Sequence, residues 1–166
     1  LVVVVVLLRQ LRRGDGVAQA HRGPEHRARW SQLPRSRRDA GLGYAIIEFF
    51  GEWNDAVHND IMRIKRDLID EMLPLGIDKF ILIGENILNF HADETDYYDE
   101  WLEEVPDGWM AFVNLRPHVL DELSSYSIDM YFVLGGQLDA FNWRTKRPQQ
   151  LYLQIAAVVQ RRLGQE

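Results

Sequence analysis

No cysteine occurs among the 166 residues. Disulfides, thiolate metal sites, thiol nucleophiles and iron–sulfur clusters are therefore excluded, and the composition fits a reducing, cytoplasmic compartment. Positive charge is also short. A net charge of −6 and a pI near 5.4 leave no general basic surface to displace phosphate counterions, so no nucleic-acid partner is expected. Long apolar runs are missing too. Leu1–Leu8 (LVVVVVLL) falls well below the roughly 20 residues that cross a bilayer. Its arginines, Arg9, Arg12 and Arg13, follow the run, whereas a signal peptide places positive charge before it. No membrane partner is expected. The phosphate loops G-x-x-x-x-G-K-[ST] and G-x-G-x-x-G, the G-x-S-x-G elbow, the D-x-D-x-D-G calcium loop and His-x-His are all absent, so neither cofactor nor metal is expected.

What is present is the balance of a globular domain, 46% hydrophobic and 27% charged. The charge is unevenly placed. Residues 1–43 hold nine arginines, no lysine and three acids, net +6; residues 44–166 hold ten basic and twenty-two acidic residues, net −12. The first segment also has no Phe, Tyr, Met, Ile, Asn or Lys and starts with Leu. It reads as a non-native or disordered basic N-terminal extension. Residues 44–166 read as a single α/β domain.

From Tyr44 onward, strands and helices alternate. Tyr44–Phe50 (YAIIEFF) is a short β-rich apolar run ended by Gly51. Val57, Ile61, Ile64, Leu68 and Met72 then form one stripe at helical spacing, closing near Pro74 and Gly76. Lys79–Ile83 is the second strand, ended by Gly84. Helix Asp96–Val105, strand Gly108–Leu115 and a helix opened by Pro117 follow. Strand Ile128–Leu134 precedes Gly135-Gly136, and Pro148 opens the last helix, Gln149–Leu163. The expected fold is α/β, a four-stranded mostly parallel sheet flanked by helices.

Ligands of such sheets bind at the carboxyl ends of the strands. Glu52, His58, Glu85, His91, Arg116 and His118 fall there and are the candidates for acid–base or metal-assisted chemistry. Asn54, Asn86, Asn114 and Gln137 are candidate ligand-binding groups at the same edge. The bland alternative is that these residues cap helices or occupy turns. Eight carboxylates lie between Asp93 and Asp107. They read as a solvated helix face or, around Asp93, Glu94, Thr95 and Asp96, as a docking surface for a protein partner. Of the tryptophans, Trp53 and Trp143 sit beside glycines and polar loops, where one of them can line a pocket.

The run from Ile46 to Leu134 resembles the STAS domain, the regulatory module of anti-sigma-factor antagonists and of anion-transporter tails. The likeness lies in the strand entering Gly51-Glu52-Trp53-Asn54, the long amphipathic helix after it and the strand Lys79–Ile83. It continues through the acidic helix, the strand ending Val113-Asn114-Leu115 and the helix Pro117–Leu123. The resemblance implies a non-catalytic bacterial regulatory module that binds a protein partner. In that family a phosphorylated serine precedes the second helix; here His91-Ala92-Asp93-Glu94-Thr95 offers only the Thr95 hydroxyl. The chain also resembles a set of bacterial proteins that share EFFGEWND, FILIGEN and WRTKRPQQL. Two other functions stay open from the residues: a small metal-assisted or acid–base enzyme, hydrolase-like, and a small-ligand-binding protein.

Overall fold

The computed structural model describes residues 3–9, 18–21 and 43–164. Most of the 1–43 extension thus lies outside the described residues. Within it, β1 (Val3–Arg9) pairs antiparallel with β2 (Ala18–His21) and with β3 (Tyr44–Asn54). From β3 on, the named ladders are parallel: β3 with β4 (Lys79–His91), and β4 with β5 (Trp109–Val113). The strand order is β2-β1-β3-β4-β5. Helices cover both faces, so the domain is α/β, as the alternation predicts.

Two expected strands are longer than their glycines suggest. β3 has 11 residues and β4 has 13, yet both ends are in register, Tyr44 with Lys79 and Asn54 with His91. The two surplus residues of β4 are accommodated as bulges. Phe49 stands against Gly84 and Glu85, and Leu88 has no opposite number between the Gly51–Ile87 and Glu52–Asn89 pairs. Gly51, at φ 94°, supplies a backbone that side chains rarely adopt. Gly84 passes so close to Leu115 that a Cβ would lie 2.5 Å from its Cδ2. Both glycines therefore bend strands instead of ending them, and Glu52, Asn54, Glu85, Asn86 and His91 are strand residues, not loop residues. β5 ends opposite Ile83, so the far ends of β3 and β4 project as a two-stranded ribbon.

The fourth expected strand is a second correction. Ile128–Tyr131 is a 3₁₀ turn, and only Val133 bridges to the sheet, parallel to Ala111. Ser127 enters the left-handed region at φ 59°. Ile128 and Phe132 are both buried in one core while Met130 is exposed; that four-residue spacing is helical, not alternating.

The helical stretch after β3 is broken. Asn54 caps α1 (Asp55–His58) by accepting the Val57 N–H at 2.8 Å. Asn59, left-handed at φ 47°, then caps α2 (Asp60–Ile64) through the Met62 N–H. A π turn over Lys65–Ile69, α3 (Asp70–Met72) and a 3₁₀ turn Leu73–Leu75 complete the crossover. Ile61, Ile64, Leu68 and Met72 are buried as the stripe predicts, but Val57 is 73% exposed because the break turns α1 away. This layer, with α4 (Asp96–Glu103) and α5 (Pro117–Ser125), packs on one sheet face around Phe49, Trp53, Phe80, Trp101 and Phe112. The other face is covered by α6 (Pro148–Leu163), where Tyr152 stacks on Tyr44 at 4.2 Å.

Candidate functional site

α6 covers only part of its face. Past Ile46 and Ile83, the next residues toward the strand ends are polar: Glu48 on β3, and Glu85 and Asn86 on β4. The connection into α6 folds over them. Trp143 Nε1 donates to Glu85 Oε2 at 3.0 Å, Asn114 Nδ2 donates to the same oxygen at 3.2 Å, and the Arg144 guanidinium pairs with Oε1. Arg116 Nε donates to the Glu85 carbonyl at 3.0 Å. Asn114 is left-handed at φ 57° and grips Phe141 twice, accepting its N–H at 2.7 Å and donating to its carbonyl at 2.9 Å. Asn86 Nδ2 donates to Glu48 Oε1 at 3.0 Å, and Arg144 reaches Glu48 only at 3.7 Å.

The two carboxylates titrate in opposite directions. Burial pushes Glu48 up, and Arg144 and the Asn86 hydrogen bond offset this only in part. Burial works upward on Glu85 too, but donors from Trp143, Asn114 and Arg144 outweigh it and hold Glu85 below the usual carboxylate range. The Glu85 side chain is 25% exposed and that of Glu48 15%, against 59% for Arg144. The guanidinium also lies over the Trp143 ring at 4.6 Å.

A second polar centre sits where β3 meets α1. Asp55 is buried and accepts from Trp53 Nε1 at 2.8 Å, from the Ile61 N–H at 2.8 Å and from the Tyr98 hydroxyl at 2.6 Å. Burial raises its pKa against these three donors. Asp60, also buried, accepts the Asn54 N–H at 2.9 Å. Above Asp55 lies a shallow depression lined by Asn59, Asp93, Glu94, Asp96 and Tyr97. Asp93, Glu94 and Asp96 are exposed. Thr95 precedes α4, and its hydroxyl reaches Asp99 at 3.4 Å. Further along α4 the acids are engaged: Glu100 and Glu104, with Asp70, surround the fully buried Lys65 ammonium, Glu104 at 2.7 Å and Glu100 at 3.3 Å.

Of the residues singled out by sequence, Glu85, Asn114 and Arg116 come together at one point. Asn86 joins them through Glu48 and Arg144. His118 follows one turn on, its Nε2 2.7 Å from the Leu88 carbonyl. Glu52 lies farther along the ribbon and accepts from Asn89 at 3.2 Å. His58 is exposed at the end of α1, and His91 is exposed at the end of β4. Gln137 is exposed and accepts from Arg161 at 3.4 Å. Among the described residues, no histidine shares a three-ligand cluster of metal-binding size; Asp70, Glu100 and Glu104 make the one cluster, around Lys65. Glu48 and Arg144 were not singled out. A lone acid inside an apolar strand is the signal for Glu48, since a half-buried carboxylate needs a partner.

No family model matches the chain, and no curated protein matches it. Solved structures similar to it include two described as anti-sigma factor antagonists. One is a Thermotoga maritima protein described as a candidate anti-sigma factor antagonist, 16% identical, covering 68% of this chain and 87% of its own, with a TM-score of 0.48. The other is the anti-sigma factor antagonist SpoIIAA in its unphosphorylated form, 10% identical, covering 72% and 93%, with a TM-score of 0.47. Among the described residues, no helix is long and apolar enough to cross a membrane.

Proposed function

We propose that the chain is a non-catalytic, STAS-like bacterial regulatory module that binds a protein partner through the turn between β4 and α4. The carrying observation is how the strand-end groups are used. Each is taken up by its own partners, Glu85 by Trp143, Asn114 and Arg144, His118 by the Leu88 carbonyl and Glu52 by Asn89, where catalysis needs groups left to converge on one reacting atom. Asp93, Glu94 and Asp96, by contrast, stand exposed around a small depression, and their charge suits a basic partner. The test is quantitative capture of partners from a bacterial lysate by the protein and by its Asp93→Asn, Glu94→Gln, Asp96→Asn variant. A partner held by the parent and lost by the variant is expected; equal capture rejects the rim.

An acid–base enzyme is the second reading. It is favoured by Glu48 and Glu85, neighbouring carboxylates pushed apart in pKa. Turnover of any ester or phosphoester in a broad panel, abolished by Glu48→Gln, would replace the first reading.

A further inference from the structure

Between Leu138 and α6, residues 140–146 carry no helix or strand, and none of them is buried. The ends of the segment are fixed. Leu138 is buried, and its carbonyl accepts the Asn114 N–H at 2.8 Å. Leu151 is buried in the first turn of α6, and its N–H donates to the Arg147 carbonyl at 3.0 Å. The middle holds to itself. The Trp143 N–H donates to the Phe141 carbonyl and the Lys146 N–H to the Trp143 carbonyl, both at 3.0 Å. The Lys146 ammonium lies over the Phe141 ring at 5.6 Å, as the Arg144 guanidinium lies over Trp143.

Among the described residues, the hydrogen bonds and ion pairs from this segment to the rest of the domain end on Asn114, Glu85 and Glu48. These attachments depend on one another. Asn114 Nδ2 is shared between the Phe141 carbonyl and Glu85 Oε2, so Glu85 orients the amide that grips Phe141. Glu85 also takes the Trp143 indole and the Arg144 guanidinium directly. Arg144 reaches Glu48 only at 3.7 Å. One carboxylate therefore holds the segment directly at two residues and through Asn114 at a third.

We propose that residues 140–146 are a strap latched by Glu85, which opens as a unit while both cores and α6 stay folded. Opening costs Glu85 its three donors. It exposes little apolar surface, since Phe141 and Trp143 are only partly buried against the core under α6, and it returns an already exposed guanidinium to water. Its free energy thus lies below that of global unfolding, as for other segments with few buried contacts. Opening also takes Arg144 away from Glu48 and leaves the Glu48–Asn86 pair to solvent. A ligand of that pair competes with the strap, and its apparent affinity is reduced in proportion to the open fraction. The proposal stands whether or not a partner binds at Asp93–Asp96.

Native-state hydrogen exchange of the ¹⁵N-labelled full-length protein, followed by NMR in rising sub-denaturing urea, tests it. The Trp143 indole N–H reports on Glu85 and the Phe141 amide on Asn114; the Ile155 and Val159 amides in α6 report on global opening. The two strap probes are expected to share one protection factor, at least about tenfold below that of the α6 amides and nearly insensitive to urea. Glu85→Ala should speed the Phe141 amide, which residue 85 does not touch, about tenfold, the effect of losing a hydrogen bond to a charged group. Arg144→Ala, at an exposed position that folding tolerates, should speed both strap probes about threefold, the size of one exposed ion pair. Strap probes with the protection and urea dependence of α6 would show that the segment opens only when the domain unfolds. Unequal protection of the two probes would show that it does not move as a unit. A Phe141 amide unchanged in both variants would show that Glu85 is not the latch. Each of these overturns the proposal.

Discussion

Replacing Glu85 by Gln keeps its shape and one oxygen for the Trp143 indole and the Asn114 amide, which share a single acceptor. It turns an NH2 group toward Arg144 and strips the guanidinium of its main partner. About 1 kcal/mol of stability is expected to go, the loss of one charge-assisted pair with a largely exposed cation, read as a lower melting temperature. The pH dependence has a definite sign. Glu85 in the folded protein titrates below its ordinary 4.5, so its contribution is complete above that pH and is lost as pH falls through the folded value. The variant's stability curve is therefore flatter than the parent's below pH 4.5. Glu48 behaves oppositely. Its folded pKa is raised, so the ionised form costs stability once pH exceeds 4.5. Glu48→Gln should gain relative to the parent between that pH and neutrality; a gain at acid pH alone contradicts the burial argument. Two tryptophans give a matched comparison. Both are fully buried, but Trp53 Nε1 donates to Asp55 while Trp101 Nε1 has no partner among the described residues. Chemical denaturation should find Trp53→Phe the more destabilising, since it leaves Asp55 short of a donor.

At the scale of an element, the break between α1 and α2 hangs on Asn59. Asn59→Ala removes the cap on the Met62 N–H and forces a Cβ-bearing residue without a local hydrogen bond into the left-handed region, costing about 1–3 kcal/mol. Asn59→Gly loses the cap but relieves the backbone, so it should melt between the parent and the alanine variant. Glycine at least as damaging as alanine would refute the strain argument. Helices were the elements most legible in the sequence. Proline fixes the first turns of α5 and α6, and the Ile61–Met72 stripe repeats at helical spacing. Strand ends were not legible. Gly51 and Gly84 look locally like terminators, and only the ladder between the two strands shows pairing running on past both. Ile128–Phe132 is an apolar run too short for its period to be told from a strand's. The candidate site was half legible for the same reason. Glu85, Asn114 and Arg116 follow strand glycines or strand ends in sequence, but the Arg144 that completes the site comes from 59 residues beyond Glu85.

At the scale of the molecule, residues 44 to 159 supply an extensive core to each face of the sheet. A chain starting at Gly43 should therefore fold. It would lack the seven residue pairs by which β1 covers Tyr44–Phe50, leaving β3 with an open edge inside a hydrophobic sheet. Its net charge also moves from −6 to −12. Repulsion keeps it monomeric at low ionic strength, and salt of about 0.5 M, with a Debye length below about 5 Å, should let the edges associate. Circular dichroism and light scattering of the truncated chain check both halves. A coil spectrum would show that β1 and β2 are required for folding, and a monomer at every salt concentration would show that the edge is protected in some other way.

The ladder between β3 and β4 has a consequence for the order in which the chain assembles. Its first rung, Tyr44 with Lys79, closes 35 residues of chain, and its last, Asn54 with His91, closes 37. No rung is local, so chain entropy must be lost before any of them forms. The crossover helices between the strands are local, and Ile61, Ile64, Leu68 and Met72 give them a continuous apolar surface on which both strands can condense. The crossover and the first rungs are therefore expected to form the nucleus, with the bulged ribbon, Glu85 and its partners closing after the barrier. Stopped-flow kinetics should show Leu68→Ala slowing refolding, while Glu85→Gln leaves refolding unchanged and speeds unfolding.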